Sequence, residues 1–142
     1  MTRPDEFLSW REEWDLGIPE LDQQHRKLVA RINRLAETHA HLRQEAGGPR
    51  AIESLLNGLL TEARAHFRAE ETAMKEAGFP DLAGHHREHD MLLAELTRLI
   101  RDLAEDREEF GVGVLNALKS WFIAHVITED REYARFHHSR HS

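Results

Sequence analysis

The 142-residue chain has no cysteine, which excludes disulfides and thiolate metal sites alike. It has no apolar run long enough to span a bilayer, so no membrane insertion is expected. Its beginning, MTRPDEFLSW, carries no apolar signal segment, and a cytoplasmic protein is expected. Basic blocks are missing too. The arginines are scattered and the formal net charge is −7, so neither nucleic acid nor an anionic membrane is an expected partner. Histidine, by contrast, is abundant, with eleven residues.

The apolar spacing is helical almost throughout, with no strand pattern and no repeat. One series runs Leu21, Leu28, Val29, Ile32, Leu35, with Pro19 placed to start a helix. Gly47, Gly48 and Pro49 in QEAGGPR break it. A second runs Ile52, Leu55, Leu56, Leu59, Ala63, Phe67, Met74, and ends at Gly78 and Pro80. A third runs Leu82, Leu92, Leu93, Leu96, Ile100, Leu103. After EDREEFG comes a fourth: Val114, Leu115, Leu118, Trp121, Phe122, Val126. An all-α fold is predicted, an antiparallel up-down-up-down four-helix bundle in one domain over residues 1–142. Residues 1–18, with Phe7, Trp10, Trp14 and Ile18, read as an apolar arm. The bundle covers 19–130, and 131–142 reads as a tail whose HHSRHS end is expected to fray.

Residues three or four apart share a helix face. By that rule His25, His66, His85, His89 and His125 all fall on the apolar stripes, and so does Glu70, one turn beyond His66. The other histidines (His39, His41, His86, His137, His138, His141) lie off the stripes or in loops and tail. A buried carboxylate without a partner is costly, by several kcal/mol or more. A single core histidine is ordinarily just hydrogen-bonded. Five of them with a glutamate, on converging stripes, need each other or an ion. Imidazole and carboxylate suit Fe, Zn, Mn, Cu or Ni. Asp130, five residues after His125, is rotated about 140° from it on a straight α-helix. To join the group, the helix must end, kink or widen near Ile127–Thr128.

The segments FLSWREEWDLGIPELDQQHRKL, HFRAEETAM, FPDLAGHHREHDML and WFIAHVITED resemble the bacterial hemerythrins, four-helix di-iron proteins that bind oxygen. The resemblance implies two irons per chain. One would take His85, His89 and His125, the other His25 and His66. Glu70 and Asp130 would bridge them, with an oxo or hydroxo group as the third bridge. One coordination position then stays open, on the iron with fewer histidines, and the resemblance places O2 there. Phe122 stands where the family usually has a leucine facing that O2 pocket, and Trp14 replaces a more usual tyrosine or phenylalanine.

The expected function is therefore reversible O2 binding for transport, storage or supply, without enzymatic turnover. A di-iron redox enzyme is the first alternative. Ferritin-like sites use more carboxylate and Glu-x-x-His pairs, which are absent from these stripes. An O2 or redox sensor is the second, with the same fold and ligands but an output domain for which this chain length leaves no room. A structural zinc bundle is the third.

Overall fold

A computed structural model describes residues 7–41, 48–107 and 109–140. Four long helical stretches form the body. They are α1 (Pro19–His41), α2 (Gly48–Ala77), α3 (Leu82–Ala104) and a last stretch of three parts. That stretch runs α4 (Val112–Ile123), a π-helical segment (Ala124–Asp130) and α5 (Arg131–Arg140). The backbone stays helical at both junctions, so the stretch is one unbroken rod. There is no strand among the described residues. The fold is the predicted four-helix bundle. α2 lies against α1 and α3, and α1 against α4. The Trp121 indole N–H donates to the Leu92 carbonyl at 3.0 Å and ties α4 to α3.

Local chemistry sets the helix ends. Asp22 in the first turn of α1 accepts the backbone N–H groups of Leu16 and Gly17 at 2.8 and 3.1 Å. α2 ends in a Schellman motif. The Phe79 N–H reaches the Met74 carbonyl at 2.9 Å and the Gly78 N–H reaches that of Lys75 at 3.2 Å. Gly78 has φ +71°, a conformation that glycine adopts without a Cβ penalty. Gly48 and Pro49, expected to break the helical pattern, instead form the first turn of α2, where proline loses no hydrogen bond. Residues 44–47 of that expected break, the first six residues of the arm, His141 and the side chains of His41 and Val126 lie outside the description.

The arm packs as expected, and further than its aromatic residues suggested. Leu8, Trp14 and Leu16 are buried, with Phe7 and Trp10 packed partly against the core. Asn33 binds Leu8 through both main-chain groups, at 2.7 and 2.9 Å. The frayed end is a correction. Helix α5 continues through Arg140, Tyr133 and Ala134 are buried, and His138 donates to the Leu16 carbonyl at 2.6 Å. The physical reason is an apolar cluster of Leu16, Leu21, Met74, Phe79, Tyr133 and Ala134 at one end of the bundle. Without α5 its other members would face water.

The larger apolar cluster fills the other end, from Leu28 to Leu35 on α1, Ile52 to Phe67 on α2, Leu92 and Leu96 on α3, and Val114 to Phe122 on α4. On α1, α3 and the last stretch the inward histidines and carboxylates fall between the two clusters, and on α2 His66 and Glu70 flank Phe67 where the larger cluster ends. The core is thus apolar, polar, apolar along its axis.

Candidate metal centre

The polar layer is buried. His25, His66, Glu70, His85, His89, His125 and Asp130 are each at most 2 % exposed. α1 contributes His25, α2 His66 and Glu70, and α3 His85 and His89, each on the face that the apolar spacing assigned. The fourth stretch contributes His125 and Asp130 from the π-helical segment. In that segment the hydrogen bonds run i→i+5. The wider turn brings Asp130 back toward the face of His125, and their side chains meet at 2.9 Å. This is the widening that the five-residue spacing required.

Donor atoms of His25, His66, Glu70, His125 and Asp130 all lie within 4.8 Å of one another. The Nε2 of His66 is 2.9 Å from that of His25 and 3.1 Å from that of His125. Asp130 Oδ2 is 2.8 Å from His25 Nε2. Yet Asp130 Oδ1 and Oδ2 and Glu70 Oε2 make no well-aligned hydrogen bond. His89 adjoins the group through Glu70, with its Nε2 3.1 Å from Glu70 Oε1. His85 is buried beside it but turned away. Its Nε2–H donates to the Glu129 carbonyl at 2.7 Å, and a ring nitrogen lies near carboxylate oxygens of Asp81 and Glu132.

Residues off the stripes complete the surroundings. Gln24 Oε1 accepts the His66 Nδ1–H at 2.6 Å. Glu71 accepts the Nδ1–H of His89 at 2.7 Å through one oxygen and that of His86 at 2.6 Å through the other. Phe67 stacks flat on the His89 ring at 4.2 Å and meets His125 at 4.6 Å. Phe122 is fully buried, edge-on to Trp14 at 5.5 Å and to His25 at 6.3 Å. The sequence reading missed Gln24 and Glu71 as site residues. Their adjacency to His25 and Glu70 is a faint signal, because each bonds to a ring on a different helix.

The electrostatics follow from burial. Burial, helped by His25 and His125, drives the His66 pKa down to about 3, against the pull of Asp130. Burial and the neighbouring Asp130 push Glu70 well above the ordinary carboxylate range. Burial pushes Asp130 up as well, but interactions with His125, His25 and His66 outweigh it and hold the carboxyl well below that range. Burial likewise raises Glu71, and hydrogen bonds from His89 and His86 reverse it to a net lowering.

The hydrogens test what this donor set fits. His66 and His89 spend Nδ1–H on Gln24 and Glu71, so their Nε2 atoms offer only lone pairs. Those lone pairs face other imidazole nitrogens and a carboxylate at 2.9–3.3 Å. Acceptors crowded so closely repel one another unless a proton or a cation lies among them. Imidazoles and carboxylates from four helices fit a transition-metal ion.

The hemerythrin family, described as the hemerythrin HHE cation-binding domain, matches residues 16–136. The chain belongs to the hemerythrin family. It is 29% identical over 134 residues to the bacteriohemerythrin of Stenotrophomonas maltophilia, covering 90% of this chain and 80% of that protein. It is 28% identical over 127 residues to that of Clostridium acetobutylicum, covering 87% of this chain and 96% of the relative. A crystal structure of wild-type hemerythrin superposes with a TM-score of 0.80 at 25% identity, over 91% of this chain and 96% of that one. A variant hemerythrin with a leucine replaced by alanine gives 0.81 at 24% identity, over 92% and 97%, a likeness of fold. The buried donor layer of this hemerythrin-family chain is its candidate cation site.

Proposed function

We propose that this protein binds O2 reversibly at a pair of irons in the polar layer, for oxygen transport, storage or supply. The observation that carries the reading is the buried convergence of imidazole and carboxylate donors between two apolar layers. His85, His89 and His125 would hold one iron, and His25 and His66 the other. Glu70 and Asp130 would bridge them together with an oxo or hydroxo group. To serve as a ligand, His85 must either turn its Nε2 away from the Glu129 carbonyl or use the Nδ1 lone pair that this bond leaves free. When bound, the iron pair supplies two electrons and one open position for O2.

The chain's own part is to orient the donors and exclude water. The carboxyl of Glu70, raised by burial and by Asp130, gives up its proton when a cation takes that place. Phe67 and Phe122 wall the layer with aromatic surface, Phe122 on the side of His25 and backed by Trp14. The apolar clusters on either side of the layer limit the access of water, and with it of protons, to the donors.

The test is direct. Iron-loaded, reduced protein exposed to O2 should gain visible absorption that disappears under vacuum and returns on re-exposure. Oxidation in one step without recovery would overturn the carrier reading. One zinc per chain and a colourless solution would overturn the iron pair.

A further inference from the structure

We propose that Glu71 and Gln24 are paired positioning residues that give the two halves of the centre unequal metal affinity, the Glu71 half being the tighter. The inference rests on the di-iron reading above. It starts from an asymmetry among the histidines. His25, His85 and His125 have an Nδ1 with no hydrogen-bond partner among the described residues. His66 and His89 each donate Nδ1–H to a side-chain acceptor on another helix, at 2.6 and 2.7 Å. That bond fixes the tautomer, sets the ring plane and aims the Nε2 lone pair inward.

The two acceptors differ in charge. Gln24 offers a neutral amide oxygen to His66. Glu71 offers a carboxylate to His89, and a carboxylate draws the Nδ1 proton toward itself and enriches Nε2. A metal facing His89 therefore meets the stronger donor. By the family pattern, His89 and His66 belong to different irons, so the difference falls between the halves.

Glu71 is also held from behind. His86, with a side chain 56 % exposed, donates Nδ1–H to its second oxygen, and His86 Nε2 lies 3.3 Å from Asp90 Oδ2. His86 thus acts through Glu71 on His89, without reaching the centre. Phe67, stacked on the other side of the His89 ring, limits its rotation.

The experiment is anaerobic titration of metal-free protein with Fe(II) in competition with a chelator, with circular dichroism checking the fold of each variant. Wild type should bind two ions in a tight and a weaker phase. Glu71→Gln keeps the shape but removes the charge, and should weaken the tight phase by about 10–100-fold and spare the weaker one. Gln24→Glu should strengthen the weaker phase, a gain that a merely structural residue would not produce. Both phases of Glu71→Gln within threefold of wild type, or both weakened equally, would overturn the inference. Wild type taking up fewer than two ions would instead overturn the di-iron reading on which it rests.

Discussion

Replacing Phe122 with leucine tests two roles of one residue. Phe122 is 0 % exposed and its ring touches Trp14 and His25 edge-on. Leucine loses the aromatic pair with Trp14, a loss of about 0.5–1.5 kcal/mol. It also leaves unfilled volume, at about 24 cal/mol for each Å³ that does not collapse. A void on the order of 20 Å³ adds roughly 0.5 kcal/mol, for a total of about 1–2 kcal/mol. For a chain of this size that lowers the melting temperature by roughly 3–8 °C. Urea denaturation of the metal-free variant measures the packing part. Stopped-flow azide binding to the oxidised, iron-loaded variant measures the pocket part. The void lies beside His25, so azide should bind faster, and the oxygenated form should autoxidise faster. Unchanged azide rates with reduced stability would leave Phe122 as core and remove its role at the O2 pocket. Unchanged stability would refute the packing argument itself.

Further outcomes are expected of the metal and the bundle end. Metal-free protein should melt below the iron-loaded form, because ligands from all four helices couple binding to folding; equal melting temperatures by calorimetry would contradict this. His66 has its pKa lowered from 6.5 to about 3, so below 6.5 the unfolded chain takes up a proton that the folded chain refuses. Metal-free stability contributed by this group is therefore full above 6.5 and is lost as pH falls toward about 3, and denaturation midpoints in that range should rise with pH. Tyr133→Ala should cost about 3 kcal/mol by emptying the apolar cluster at the bundle end. It should also speed iron loss to a chelator; a loss below 1 kcal/mol would restore the frayed tail. His66→Ala should lose one iron, whereas His86→Ala should keep both, which metal analysis distinguishes.

The helices, the inward histidines and Glu70 were legible because helical periodicity assigns faces without knowledge of the neighbours. The need for an unusual turn before Asp130 was legible for the same reason, since its spacing from His125 broke that periodicity. What resisted was anything between helices. Glu71 is off the stripe of α2, and only the approach of α3 makes it a partner of His89. Gln24 is likewise invisible until α2 lies beside α1. The order of α5 escaped because its burial depends on Leu16 and Phe79, distant in sequence. HHSRHS has the composition of a frayed end. Its first residues are nonetheless held, by the helix that precedes them and by the His138 bond to Leu16.

The π-helical segment makes part of this protein sensitive to length rather than to composition. A substitution at an exposed position such as Thr128 leaves the residue count between His125 and Asp130 intact. Deleting one residue there does not. An uninterrupted α-helix could then form, with Asp130 one turn from His125 in ordinary register. Residues after Asp130 keep their offset from it, so Tyr133 and Ala134, three and four positions on, would stay in phase with the carboxylate. The π turn therefore absorbs one extra residue and leaves the donor layer and the bundle end in the phase that a continuous α-helix would give them. One further residue in the segment would instead turn Asp130 and the cluster beyond it by about 100° from the donor face.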